Sequence, residues 1–369
     1  MTTDAFYMNI ALNHALAMKG QTDPNPLVGC VIVHHSRIVG IGAHLKAGEA
    51  HAEIHALRMA GEQARGSTLY VTLEPCSHHG KTGPCAEAIV QAGVKKVIIA
   101  TLDPNPMVCG NGASILKTAG IDVEIGVCGE EARKMNEVFN TFMEQKRPFI
   151  TLKTGITMDG KVATHTAHSK WITSEEARKD VHQLRHEHVA ILTGINTVLK
   201  DDPALTARIP NGRNPIRIVM DSTLKIPLHY QLIQDKQAET WIFTTSNHDI
   251  EKRNALEAEG IKVIVTNDSQ VIDPCNIVTY LGEQGISSLL LEAGGTINAA
   301  FLERKLIDKF IIYMAPKVIG GKNAPTFLEG AGVETMEEAM ELTDISVEKI
   351  GADIKWTGYP LYETRLLKP

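Results

Sequence analysis

Apolar and polar positions along the first 145 residues change period repeatedly, and each change marks an element. The stretch "PLVGCVIVHHSRIVGIGA" reads as two strands joined by a turn around His35, and "HAEIHALRMAGEQA" reads as a helix. "STLYVTLE" and "KKVIIAT" predict strands, each followed or preceded by a helical segment, "CAEAIVQAG" and "GASILKTAG". "IDVEIGV" adds a strand, and "GEEARKMNEVFNTFMEQ" reads as one long helix. The opening "MTTDAFYMNIALNHALAMKG" reads as an amphipathic helix capped near Asp4. Strands that alternate with helices predict an α/β sandwich with a mainly parallel sheet.

"KRP" at Lys146 to Pro148 interrupts the helical pattern and a new strand, "FITLKTG", begins. This predicts two domains, 1–146 and 147–369, as the length of 369 residues also suggests. The second half contributes the strand candidates "HVAILTG", "IRIVMDS", "TWIFTT", "KVIVT", "SSLLLE" and "KFIIYMAP", and closes on a hairpin-like "DISVEKIGADIKWTGY". No tandem repeat is present.

Composition narrows the function classes. No apolar run approaches the roughly 18 residues that a membrane span needs. The first helix lacks the basic start, apolar block and small-residue site of an export signal, so a cytoplasmic enzyme is expected. A net charge of −6 without a basic run argues against a nucleic-acid backbone as main partner and leaves room for a small anionic substrate. The six cysteines of such a chain read as free thiols or metal ligands.

His51, Cys76 and Cys85 offer the chemistry of a catalytic zinc site, three protein donors with a fourth position left for water. Cys76 follows Pro75 at a strand end, and Cys85 opens a helix whose N-terminus favours a thiolate. Two thiolates cancel the charge of the metal, so a carboxylate is needed to carry protons, and Glu53 stands two residues from His51. The pattern H-x-E with P-C and a later Cys marks zinc-dependent nucleobase deaminases, with the glutamate as general acid and base. A closed structural site of Cys76, His78, His79 and Cys85 is the alternative, and it gives Glu53 no role.

The second half has no GxGxxG after a strand, so a Rossmann fingerprint is missing. "SSLLLEAGGTINAAFLERKLID" places Gly294 and Gly295 between a strand and a helix, which is either a phosphate cradle or a plain turn. Ser174 is a helix N-cap candidate. Arg185 and Arg208 are natural phosphate ligands because the guanidinium fork matches phosphate oxygens.

"PNPLVGCVIV", "HAEIHAL", "TLYVTLEPCSHHGKTGPC" and "DPNPMVCGNG" resemble the deaminase domain of the bifunctional riboflavin-biosynthesis deaminase/reductase family; Gly83 stands where that family usually has proline. The match of the second half runs from about Phe149 to Gly321 and resembles the reductase domain of the same family. The resemblance implies a cytidine-deaminase-like three-layer α/β/α domain followed by a dihydrofolate-reductase-like α/β domain. It implies zinc on His51, Cys76 and Cys85, Glu53 as proton shuttle, and Asn25 on the pyrimidine. It implies NADPH at Gly155, Trp171, Thr197, Asp201, Ser222 and the turn of Gly294, Gly295, Thr296, Ile297, Asn298, Ala299 and Ala300. Ser169, Arg185, Leu205, Arg208 and Glu292 would hold the ribosyl phosphate, with Lys153 near the reacting sugar. The implied reactions are deamination of a diamino-ribosylamino-pyrimidinone 5′-phosphate and reduction of its ribosyl chain to ribityl. Small pyrimidine ribosyl phosphates are thus the expected partners, with neither nucleic acid nor membrane, and dimers or tetramers are common in such families. The other readings are a deaminase of free or polymeric nucleobases with a nucleotide-binding second half, and a zinc-stabilised sensor of ribosyl phosphates, against which Glu53 argues.

Overall fold

The structure, a computed structural model, describes residues 3–77, 83–105, 109–266 and 270–362. The chain divides into two compact units, Met1–Lys146 and Arg147–Pro369.

Unit 1 runs α1 (Thr3–Leu16), β1 (Gly29–His34), β2 (Arg37–Ala43), α2 (Ala52–Ala60), β3 (Thr68–Leu73), α3 (Cys85–Gln91), β4 (Lys96–Thr101), α4 (Asn111–Thr118), β5 (Asp122–Ile125), α5 (Gly129–Met135) and α6 (Glu137–Gln145). Its sheet has the order β2-β1-β3-β4-β5. Strand alternation divides the core between the two faces. Cys30, Ile32, Leu69, Val71, Val97 and Ile99 pack with Ala52, Ala56, Ile89 and Leu116 from α2, α3 and α4. Val31, Val33, Tyr70 and Ile98 face the other way, onto Met8 and Leu12 of α1 and Ala132 of α5. The expected three-layer sandwich follows, each buried aliphatic side chain contributing about 1.5–3 kcal/mol.

Three expectations need correction. The sheet of unit 1 is half antiparallel: β1 pairs antiparallel with both β2 and β3, while β3–β4 and β4–β5 are parallel. The cause on one side is the tight turn, where His35 and Ser36 both take positive φ (47° and 61°) and send β2 back along β1. Asp4 lies inside the first turn of α1 rather than at its cap, and accepts a hydrogen bond from Tyr70 at 2.7 Å. The single long helix is two, α5 and α6, divided at Asn136. The Asn136 side chain is committed elsewhere: it accepts from Leu27 N–H at 2.8 Å and donates to Leu27 C=O at 2.9 Å.

Unit 2 contains β6 (Phe149–Thr157), α7 (Glu175–Glu187), β7 (Ala190–Gly194), α8 (Ile195–Asp201), β8 (Ile216–Met220), α9 (Gln231–Gln234), β9 (Thr240–Thr244), α10 (Ile250–Ala258), β10 (Lys262–Val265), α11 (Pro274–Glu283), β11 (Ser288–Leu291), α12 (Gly295–Glu303), β12 (Lys309–Ala315), β13 (Leu342–Ile350) and β14 (Asp353–Pro360). Its sheet has the order β10-β9-β8-β7-β11-β6-β12-β14-β13. Every pair from β10 to β12 is parallel, and the closing β13–β14 hairpin is antiparallel. One face buries Ile150, Leu192, Phe243 and Leu291 against Ile277 and Phe301 of α11 and α12. The other buries Ile191, Val219, Ile242 and Leu290 against Val181 and Leu184 of α7. The expected N-cap of α7 is present, Ser174 Oγ accepting from Ala177 N–H at 3.2 Å.

Candidate active sites

In unit 1 three elements deliver their side chains to one point. His51 is the N-cap residue of α2, Glu53 lies in the first turn, and Cys85 opens α3. Cys76 lies just past β3. The seating of α2 is tight: a Cβ on Gly42 would collide with the carbonyl oxygen of Ala52, so β2 and the start of α2 approach as only glycine allows. The donor atoms of His51, Cys76 and Cys85 all lie within 4.8 Å of one another. Nδ1 of His51 stands 3.2 Å from Cys85 Sγ and 3.6 Å from Cys76 Sγ, and Cys85 N–H donates to Cys76 Sγ at 3.3 Å.

The electrostatics suit a cation. The Cys76 thiol is lowered to about 4, first by its hydrogen bond with Cys85 and also by His51, while that same bond raises Cys85. The two thiols thus hold one proton between them, which a bound metal would displace. Burial raises the Glu53 carboxyl to about 7. Glu53 is 3% exposed, lines the adjoining cavity, and its Oε2 has no hydrogen-bond partner among the described residues. One imidazole and two thiols fit zinc with a position to spare, and Glu53 is not among the clustered donor atoms. His78 and His79, the alternative donors, lie outside the described residues.

The cavity measures about 240 Å³ and includes Asn25, His44, Glu74 and Phe139 in its wall. The sequence reading missed His44 and Glu74. His44 Nδ1 donates to Ala50 C=O (3.2 Å), so Nε2 accepts from the Asn25 amide (3.0 Å) and fixes its orientation. Glu74 accepts from the N–H groups of Asp103, Gly110 and Ala113 at 3.2, 2.9 and 3.1 Å, clipping the segment after β4 to the end of β3. Only its place beside Pro75–Cys76 at a strand end could have signalled it.

In unit 2 a cavity of about 450 Å³ brings together Lys153, Gly155, Ser169, Trp171, Arg185, Thr197, Asp201, Leu205, Arg208 and Glu292. Glu292, just past β11, receives Arg185 Nε and Nη2 at 2.9 and 3.0 Å and Lys153 Nζ at 3.1 Å. Burial alone would raise the Glu292 carboxyl, but the charges of Arg185 and Lys153 outweigh it and hold it well below the ordinary carboxylate range. Trp171 is 63% exposed at the rim, with the Arg178 guanidinium 4.5 Å from its ring centre. Arg208 is exposed and makes no ion pair among the described residues.

Ser222 and the Gly294–Ala300 turn are not in that cavity wall. They follow β8 and β11, which flank β7 in the sheet, while Thr197 and Asp201 lie on α8 directly after β7. Three neighbouring parallel strands thus present their C-terminal ends together, the edge where open α/β sheets take ligands. Gly194 at the end of β7 has no space for a Cβ because the Ile297 side chain rests there. The Thr296 hydroxyl donates to Glu329 Oε2 at 2.9 Å, and the buried Asn298 amide donates to Phe327 C=O at 2.8 Å.

Family models match both units: the cytidine and deoxycytidylate deaminase zinc-binding region over residues 1–101, and the RibD C-terminal domain over residues 148–356. The riboflavin biosynthesis protein RibD of Bacillus amyloliquefaciens is 45% identical over 97% of this chain and 96% of its own. The chain belongs to the RibD family. The Escherichia coli RibD is 41% identical over 95% of this chain and 98% of its own. A solved RibD structure from Acinetobacter baumannii superposes with a TM-score of 0.87 at 38% identity, covering 97% of this chain and 99% of that one. A Thermotoga maritima structure described as a diaminohydroxyphosphoribosylaminopyrimidine deaminase/5-amino-6-(5-phosphoribosylamino)uracil reductase does so at 0.82 and 34% identity, over 97% and 99%. As a RibD, the chain is a bifunctional enzyme of riboflavin biosynthesis, with a zinc deaminase region and a reductase region.

Proposed function

We propose that residues 1–146 deaminate 2,5-diamino-6-ribosylamino-4(3H)-pyrimidinone 5′-phosphate, and that residues 147–369 use NADPH to reduce the ribosyl chain of 5-amino-6-(5-phosphoribosylamino)uracil to ribityl. The observation that carries the reading is the pair of dissimilar sites in one chain. One is a soft-donor cluster beside a buried carboxylate whose Oε2 has no hydrogen-bond partner among the described residues; the other is a cation-rich cavity in a parallel sheet.

In the first site His51, Cys76 and Cys85 would hold zinc, whose Lewis acidity makes water nucleophilic near neutral pH. Glu53 takes a proton at Oε2 and returns it to the leaving nitrogen, and its burial keeps both protonation states within reach. The Asn25 amide, oriented by His44, hydrogen-bonds the pyrimidine edge.

In the second site bound NADPH would supply the hydride that C1′ of the sugar receives. Gly155, Trp171, Thr197, Asp201, Ser222 and the Gly294–Ala300 turn are the proposed contacts of the dinucleotide. Ser169, Arg185, Leu205, Arg208 and Glu292 hold the ribosyl phosphate, Arg208 being the rim cation free to take phosphate oxygens. Lys153, anchored by Glu292, holds a proton at Nζ beside the reacting sugar. Restricting a flexible chain in this way can supply several kcal/mol of the barrier. Among the described residues no helix is long and apolar enough to cross a membrane. A cytoplasmic homo-oligomer, dimer or tetramer, belongs to the same proposal.

The test is to incubate the zinc-loaded protein with the diamino substrate and follow product masses. Without NADPH, only the exchange of an amine for a carbonyl should appear; with NADPH, two hydrogens should then be gained. Reduction without prior deamination, or no mass change at all, would contradict the assignment.

A further inference from the structure

His182 lies on α7, one turn before Arg185, and both line the cavity of unit 2. Its Nδ1 stands 3.2 Å from the carbonyl oxygen of Thr206, which also accepts from Arg185 Nη1 at 3.2 Å. A carbonyl oxygen has no hydrogen to give, so Nδ1 is the protonated ring nitrogen. Nε2 has no partner among the described residues. Burial, then the charges of Arg185 and Arg208, lower the imidazole to about 4, so the ring is neutral near neutral pH. Nε2 is then a lone-pair acceptor on a residue of the cavity wall, whose cationic groups, Lys153, Lys170, Arg178, Arg185 and Arg208, can only donate. The Glu292 oxygens are already taken by Arg185 and Lys153, and Asp201 faces Lys170 at 3.5 Å.

We propose that His182 is a specificity-determining residue of the reductase site, accepting through Nε2 a hydrogen bond from a hydroxyl of the sugar chain. This rests on the substrate assignment above. A phosphate oxygen or a base carbonyl would set lone pair against lone pair at Nε2, so the position requires a group with a hydrogen to give. The pentose hydroxyls supply one, and the N–H groups of the base are the competing donors that deoxy analogues separate from them. The residue thereby reads the polyol character of the substrate, while the arginines read its charge.

Two substitutions separate this role from a structural one. In H182N the amide nitrogen can replace Nδ1 as donor to Thr206, but nothing reaches the place of Nε2. In H182Q the side-chain oxygen reaches that place. The proposal expects H182N to raise KM for the ribosylaminouracil phosphate roughly 3- to 10-fold, the worth of one neutral hydrogen bond, with little change in kcat. H182Q should recover most of the loss. Calorimetric titration of the NADPH-free protein with this substrate should show the same fold-change in Kd. Wild type should disfavour 2′- or 3′-deoxy analogues by a similar factor, and H182N should be indifferent to one of them.

A wild-type KM in H182N, or H182Q as the poorer variant, would reduce His182 to a strut for Thr206 and overturn the proposal. Should H182N prove unfolded by circular dichroism, H182Q on the deoxy analogues decides: discrimination retained supports the role, discrimination lost contradicts it. Absence of any NADPH oxidation by wild type would overturn the substrate assignment itself, and this proposal with it.

Discussion

Glu292 grips Arg185 with both carboxylate oxygens and holds Lys153 with one of them. Each of the three side chains is mostly buried, so the carboxylate is what makes two neighbouring cations tolerable. Glu292→Gln should therefore cost about 3–5 kcal/mol, since it strands buried charge, and should abolish reduction. The pH dependence follows from the depressed carboxyl. The ion-paired contribution is fully present above the unfolded value of about 4.3 and fades as the pH falls toward the lower folded value. Urea unfolding should show the gap between wild type and variant narrowing below about pH 4. A gap unchanged down to strong acid would mean that Glu292 is not the charged partner.

Cys85→Ser removes a soft donor from the convergent trio. Wild type should carry one zinc per chain, and the variant should lose both zinc and ammonia release while still oxidising NADPH with the deaminated substrate. Elemental analysis showing full zinc in the variant would shift the ligand set to His78 or His79.

Asn136→Ala leaves the Leu27 N–H and C=O, both bonded by that side chain, without partners. A loss of about 1–3 kcal/mol is expected, because unmade buried hydrogen bonds carry a full desolvation cost. Leu27 stands two residues after Asn25, so KM for deamination should rise as well. Thermal melting combined with ammonia-release kinetics checks both, and an unaltered melting temperature would refute the clamp.

The same asparagine shows where sequence reading stops. Helical periodicity continues from Gly129 to Gln145, so nothing local marks a break; the break arises from a partner more than a hundred positions away. The convergence of His51, Cys76 and Cys85 was legible because each stands at a strand end or helix start whose pattern is local. The tail after Gly321 was legible only as a hairpin. Its placement was not, because it depends on β14 pairing with β12 and on side chains that reach α7: Asp353 accepts from Ser174 N–H at 2.7 Å, and Lys355 pairs with Asp180 at 2.8 Å. His44, Glu74 and His182 were missed for a related reason, since each acts through a backbone carbonyl or N–H that only the fold supplies.

One chain holds two independent chemistries, and a crossed assay separates them. Glu53→Gln and Arg208→Ala are each assayed for ammonia release on the diamino substrate and for NADPH absorbance on the isolated uracil intermediate. Glu53→Gln should keep zinc, lose deamination by roughly 10²–10⁴ and reduce normally, since general acid–base catalysis has about that worth. Arg208→Ala should deaminate normally and reduce poorly, in KM if phosphate is held equally in ground and transition states, and in kcat if the grip aligns C1′. Loss of both activities in Glu53→Gln, with zinc and fold intact, would contradict the two-site account and require a shared site.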